Sequence, residues 1–233
     1  MKIYENDRWK TYLRSYPLEK RSELSHLGAV FGTDKAGPEH NYTEVVYTPL
    51  FREIRNEPIK LLEIGSGDIG ASLFMWRKYF PNAEIYCLEP FFNRRMTITP
   101  AKLEAEGIIV IKGNQMNRDD LNRAGKMSNG GFDVIIDDGA HNNDAQQISL
   151  GGLFPYLKGG GLYIIEDLHS AVSRGRRIKE CNQWLASSGD IIDKKQVIFH
   201  KRDKSIGESS TELIITKKWD SYNLSKEENQ YLS

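Results

Sequence analysis

The stretch Leu61-Leu62-Glu63-Ile64-Gly65-Ser66-Gly67-Asp68-Ile69-Gly70 runs from an apolar segment through three glycines into a helical pattern. Residues 60–64 read as a buried strand that stops at Gly65. Downstream, Ile69, Leu73, Trp76 and Phe80 recur at helical spacing and share one face, until Pro81 and Asn82 end the helix. Short apolar runs then alternate with helical stretches, with no internal sequence repeat. Residues 83–88, 108–111, 132–136 and 162–165 are short continuous apolar runs, and residues 119–124 and 143–157 between them carry helical patterns. Gly151-Gly152 weakens the middle of the last helix by about 1 kcal/mol per glycine. A further helix is expected over 178–186. Residues 197–199 and 213–215, with Glu208-Ser209-Ser210 between them, predict an antiparallel pair. Strands alternating with helices imply a mostly parallel, doubly wound α/β sheet covered on both faces. In such sheets ligands bind beyond the carboxyl ends of the strands, so the residues just after each strand are the ones to examine.

Outward from this core, the first 56 residues are polar, aromatic and charged, with helical patches over 8–16, 18–27 and 47–55. Between them, residues 31–40 are too rich in glycine, proline and charge for regular structure. The expected organisation is a helical cap with a lid loop over 1–56, a domain over 57–220 and a tail over 221–233. The chain has 233 residues, enough for one full core with an extension. Its 32 basic and 32 acidic residues balance, which removes any global field toward nucleic acid or an anionic membrane. Cys87 and Cys181 form neither a metal-type pair nor a disulfide framework. No signal-like N-terminus and no apolar run long enough for a bilayer is present, so a cytoplasmic protein is expected.

Gly65, Gly67 and Gly70 satisfy the dinucleotide pattern G-x-G-x-x-G, and Glu89 ends the second strand where an acid can meet ribose hydroxyls. Taken alone, these features allow NAD. Glu63 points elsewhere, because a carboxylate there would repel a pyrophosphate but suits the ammonium and sulfonium of S-adenosylmethionine (SAM). The glycines serve either ligand by letting the backbone approach closely.

The fourth strand ends in Asp137-Asp138-Gly139-Ala140-His141 and the fifth in Glu166-Asp167-Leu168-His169. On neighbouring strands, about 4.8 Å apart, Asp138, Glu166 and Asp167 would converge. Unpaired carboxylates that close repel one another, and a divalent cation removes the conflict. Hard oxygen donors favour Mg²⁺. His141, at the turn into the following helix, is placed to take a proton from a metal-bound hydroxyl. The blander alternative is that the aspartates cap the helix and His141 is an exposed first-turn residue. The metal reading requires Asp138 to lie close to Glu166 and Asp167, with no lysine or arginine filling the space.

These residues resemble the metal-dependent sugar O-methyltransferases of macrolide biosynthesis, the macrocin and mycinamicin type, and their shorter relatives that methylate sugars in bacterial glycans. The similar segments are Phe31-Gly32-Thr33-Asp34-Lys35 with His40 and Tyr42, Leu61–Gly65, Gly70-Ala71-Ser72-Leu73, Tyr79-Phe80-Pro81-Asn82-Ala83, Ile135–Gly139 with His141, and Tyr163–Ser170. The resemblance implies a Rossmann-like class I SAM methyltransferase fold, seven-stranded with the last strand antiparallel. It implies Asp138, Glu166 and Asp167 as Mg²⁺ ligands and His141, with Asp138, as the catalytic pair. Glu63, Gly65, Gly67, Ser72, Glu89, Asn114, Gln115 and Asp137 would serve the SAM site. Gly113-Asn114-Gln115 departs from the family's Gly-Asp-Gln, and Ala140 stands where serine is common. The implied acceptor is a sugar hydroxyl on a small molecule, a nucleotide sugar or a glycan, with nucleic acid excluded and self-association left open. A catechol-type acceptor and an NAD-dependent oxidoreductase stay as rivals, together with a degenerate scaffold. Arg174, Arg176, Arg177 and Lys179 are either an anion site or a solvated helix start.

Overall fold

The computed structural model of the chain describes residues 20–37, 40–167, 192–199 and 211–217. The helices expected over 8–16 and 178–186, the basic stretch from Arg174 to Lys179, His169 and the C-terminal tail lie outside the described residues. Among the described residues, seven strands form one sheet in the order β3-β2-β1-β4-β5-β7-β6. The strands are β1 (Lys60–Ile64), β2 (Glu84–Glu89), β3 (Ile108–Lys112), β4 (Phe132–Asp137), β5 (Leu157–Ile165), β6 (Ile192–Phe199) and β7 (Thr211–Lys217). Pairing is parallel from β3 through β5, and β7 runs antiparallel to both β5 and β6. The sheet is doubly wound and mostly parallel, as expected, with the final strand reversed. The chain direction of winding switches between β1 and β4, and their tips therefore frame the ligand crevice.

Strand alternation divides the core in two. Leu61, Ile85, Val134 and Ile136 face one helical layer, while Leu62, Tyr86, Ile135 and Tyr163 face the other. The first layer holds α1 (Glu23–Phe31), a π-turn at Thr43–Tyr47 running into the short α2 (Thr48–Phe51), α3 (Ala71–Tyr79) and α4 (Pro100–Ala105). The second holds α5 (Arg118–Met127) and α6 (Asn143–Leu153). The Ser22 hydroxyl caps α1 at its start, and Gly32, at φ 78°, closes its end. Leu24, Tyr47 and Phe51 are fully buried in the same core cluster as Trp76 and Leu61.

Several expectations shift in detail. The helix expected over 143–157 ends at Leu153. Phe154–Tyr156 forms a 3₁₀ turn around Pro155, and β5 begins at Leu157, five residues before the apolar run that announced it. The glycine pair inside α6 has a packing reason, since a side chain at Gly152 would strike Leu121 of α5. The loop over 31–40 contains a 3₁₀ turn at Asp34–Ala36. No described helix is long and apolar enough to cross a membrane.

Candidate active site

At the tip of β1 the wall is made of backbone. Gly65 has φ 94°, and a Cβ there would collide with the main-chain oxygen of Asp138 on the neighbouring strand. Its amide donates to the Leu88 carbonyl at 3.0 Å, which ties the turn to β2. Next to it, the Ser66 amide donates to Glu89 Oε2 at 3.1 Å and the Phe91 amide to Glu89 Oε1 at 3.1 Å. Glu89 thus fixes the glycine loop while still bordering the cavity. Gly67, at φ 57°, has open space around it, and Gly70, at φ 72°, starts α3. These turns enclose a cavity of about 630 Å³ bordered by Gly65, Gly67, Glu89, Gln115, Asp138 and His141, with Ser72, Asn114 and Asp167 also reaching it.

Two of the residues expected at the cofactor stand behind this wall. Glu63 is fully buried, because strand alternation turns it beneath α3, where the Ser72 hydroxyl donates to it at 2.9 Å. Burial pushes its carboxyl up to about 7, against the opposing pull of Lys35 and Ser72. Asp137 is equally buried, accepting from Ser149 Oγ and, at 3.1 Å, from Gln115 Nε2. Gln115 in turn accepts from the Ala140 amide at 2.7 Å. Asp137 therefore shapes the cavity through Gln115 and the turn at 139–140, without touching it.

At the tips of β4 and β5 the wall is made of side chains. Asp138, His141 and Asp167 each offer one ligand atom, and these atoms all lie within 4.8 Å of one another. His141 Nε2 is 3.8 Å from Asp138 Oδ1. Asp167 accepts from the Tyr42 hydroxyl at 2.6 Å and lies 3.6 Å from His40. Burial opposes its charge, yet His40, Tyr42 and His141 hold its carboxyl below the usual range. Both His141 and Asp167 sit in left-handed backbone, at φ 51° and 56°. Such conformations are uncommon for non-glycine residues and concentrate at functional sites.

Glu166 is not brought into this group. Its Oε2 accepts from Lys35 Nζ at 2.7 Å and its Oε1 from the Tyr47 hydroxyl. Lys35 also donates to Asp138 Oδ2 at 2.5 Å and lies 3.6 Å from Glu63 Oε1. The condition that no lysine fill the space between the acids thus fails between Asp138 and Glu166. It holds on the cavity side, where Asp138, His141 and Asp167 remain together. Lys35, Tyr42 and Tyr47 lie upstream of the sheet, and sequence spacing gave no distance from them to the acids. The one signal in the sequence is the Phe31–Lys35 segment with His40 and Tyr42, which carries part of the resemblance within an otherwise polar loop.

No family model matches the chain. Among curated proteins it is 35% identical over 158 residues to the mycinamicin VI 2''-O-methyltransferase of Micromonospora griseorubida, covering 65% of this chain and 37% of that protein. It is 32% identical over 179 residues to the 8-demethyl-8-(2-methoxy-alpha-L-rhamnosyl)-tetracenomycin-C 3'-O-methyltransferase of Streptomyces olivaceus, covering 72% and 44%. The demethylmacrocin O-methyltransferase of Streptomyces fradiae is 35% identical over 157 residues, covering 65% and 38%. The chain therefore spans less than half the length of these relatives. Among solved structures, the MycE methyltransferase of the mycinamycin biosynthetic pathway, in complex with Mg and SAH, superposes with a TM-score of 0.64 at 25% identity, covering 94% of this chain and 63% of that one. The resemblance read from the residues is borne out: this chain is similar over most of its length to the mycinamicin, macrocin and tetracenomycin sugar O-methyltransferases, and its fold is that of the class I SAM-dependent methyltransferases.

Proposed function

We propose that this chain is a SAM-dependent, divalent-cation-assisted O-methyltransferase that acts on a sugar hydroxyl of a glycosylated small molecule. One observation carries the reading. A single cavity joins a glycine turn backed by Glu89, suited to SAM, to the Asp138, His141 and Asp167 group. The relatives' acceptors make a sugar on a small molecule the first choice, with nucleotide sugars and glycans as finer variants. An oxidoreductase has no counterpart among the matches described.

Asp138 and Asp167 fit a hard divalent cation, since both present carboxylate oxygens to the cavity. When bound, such a cation would supply acidity to the acceptor hydroxyl. The protein's own part is positional. His141 accepts the hydroxyl proton, and Asp138, 3.8 Å away, stabilises the imidazolium that results. The acceptor oxygen forms its bond to the methyl carbon as the carbon–sulfur bond breaks, and S-adenosylhomocysteine leaves with the electron pair on sulfur. The turn at Gly65 and the strand tip at Asp138 are in contact, so donor and base are held on one rigid frame. The buried thiol of Cys87 fits a reducing compartment, which is why we infer a cytoplasmic enzyme.

The test is methyl transfer from labelled SAM to a panel of glycosides, nucleotide sugars and catechols, with Mg²⁺ and with chelator. His141→Ala is expected to keep SAM binding and to lose at least roughly a hundredfold in kcat. Transfer that survives both the chelator and this variant would refute the assignment.

A further inference from the structure

The strongest feature left unexplained is Lys35. Its side chain is 2% exposed, and its ammonium is set among three carboxyl groups: Asp138 Oδ2 at 2.5 Å, Glu166 Oε2 at 2.7 Å and Glu63 Oε1 at 3.6 Å. A buried ammonium is tolerated only when it is paired, and here carboxylate oxygens of Asp138 and Glu166 lie within hydrogen-bonding reach of it. Lys35 is the middle residue of the 3₁₀ turn at Asp34–Ala36, whose start is capped by the Thr33 hydroxyl. The turn is pinned to the helical layer, because a Cβ on Gly28 of α1 would meet Ala36. The lysine is therefore delivered to the acids by a fixed piece of backbone.

Asp138 divides its two oxygens. Oδ2 faces Lys35, whereas Oδ1 lies toward His141 on the cavity side. Glu166 is buried and is not part of the cavity wall, and with the lysine absent it and Asp138 would lose the cation that bridges them.

We propose that Lys35 is the resident counter-cation of this site. It neutralises the rear of the acid cluster, so that the fold does not depend on a divalent cation and a cation in front of Asp138 is held weakly enough to exchange. Lys35 is on this view a positioning residue, fixing Asp138 and Glu166 from behind. The proposal rests on the reading of Asp138 and Asp167 as the cation-facing pair, but its readout is separate from methyl transfer.

The experiment is Lys35→Met, which keeps the apolar stem and removes the charge. Thermal unfolding is followed in EDTA and in MnCl₂, and Mn²⁺ affinity is measured by calorimetry on the full chain. Wild type should stay folded in EDTA and gain only the small rise in melting temperature that weak Mn²⁺ binding gives. The variant should melt lower in EDTA, recover with Mn²⁺, and bind Mn²⁺ at least roughly tenfold more tightly, as uncompensated acids recruit a replacement charge. An unchanged melting temperature in EDTA, or Mn²⁺ affinity equal to or weaker than wild type, overturns the proposal. If the variant does not fold in EDTA, the double variant Lys35→Met, Glu166→Gln decides. It should fold in EDTA because charge is again balanced, and a double variant as unfolded as the single one would mean that packing, not charge, was lost. A wild type that binds no Mn²⁺ at all would count against the cation-assisted reaction, while the EDTA comparison would still decide the role of Lys35.

Discussion

The tip of β1 and the tips of β4 and β5 build adjoining walls of one cavity by different means. At β1 the wall is backbone, a turn through Gly65 in a conformation that leaves no room for a side chain. At β4 and β5 it is a set of ionisable side chains whose positions depend on a lysine that enters from residue 35. Failure should look different on the two sides. A backbone wall breaks by steric conflict, at any pH and with or without a metal ion. A wall of charges breaks by imbalance, and can be mended by another charge.

The largest effect is expected at the backbone wall. Gly65→Ala places a methyl against the Asp138 carbonyl at φ 94°. Overpacking and the disfavoured conformation should together cost roughly 3–5 kcal/mol of stability. Urea unfolding measures this, and the loss should be the same in EDTA and in MnCl₂. A loss that Mn²⁺ repairs would erase the distinction between the two walls.

A smaller effect is expected from Glu63, which stands behind both walls. Its carboxyl is raised by burial from 4.5 to about 7. For an acid whose folded value is raised, the folded state holds the proton more tightly than the unfolded state does. The stability this contributes is fully present below pH 4.5 and is lost as pH rises through about 7. Glu63→Gln should therefore flatten the pH dependence of stability in that window by roughly 3 kcal/mol. Denaturation midpoints measured across the window check it. An unaltered slope would mean that Lys35 already keeps Glu63 ionised throughout.

How much could be read in advance divides along the same line. The glycine turn and the acid pairs at strand tips are local patterns, so the mostly parallel, doubly wound sheet and the placing of these residues at its strand tips were legible. Glu63 and Asp137 were visible as acids, but their direction was not. Alternation along β1 buries Glu63 under α3, and Ser149 and Gln115 claim Asp137 from helix and loop. Lys35 was least legible, because its meaning lies in contacts 103 and 131 residues away along the chain. A charged residue in a polar loop gives no periodicity to betray that it is buried.

The smallest effect should come from Tyr47, and it separates the rear of the charged wall from its front. The Tyr47 hydroxyl donates to Glu166 Oε1, while its ring packs on Phe51 at 5.2 Å and on Trp76 at 4.9 Å. Tyr47→Phe keeps the ring and removes only the donor. One buried hydrogen bond should be worth about 1 kcal/mol, because Lys35 still engages the other oxygen of Glu166. If Glu166 belongs to the rear, Mn²⁺ affinity should stay within about twofold of wild type while the unfolding midpoint falls. A roughly tenfold change in affinity with little change in stability would move Glu166 to the front beside Asp167. The lysine would then have to withdraw whenever a cation binds, and the two oxygens of Asp138 would no longer serve separate partners.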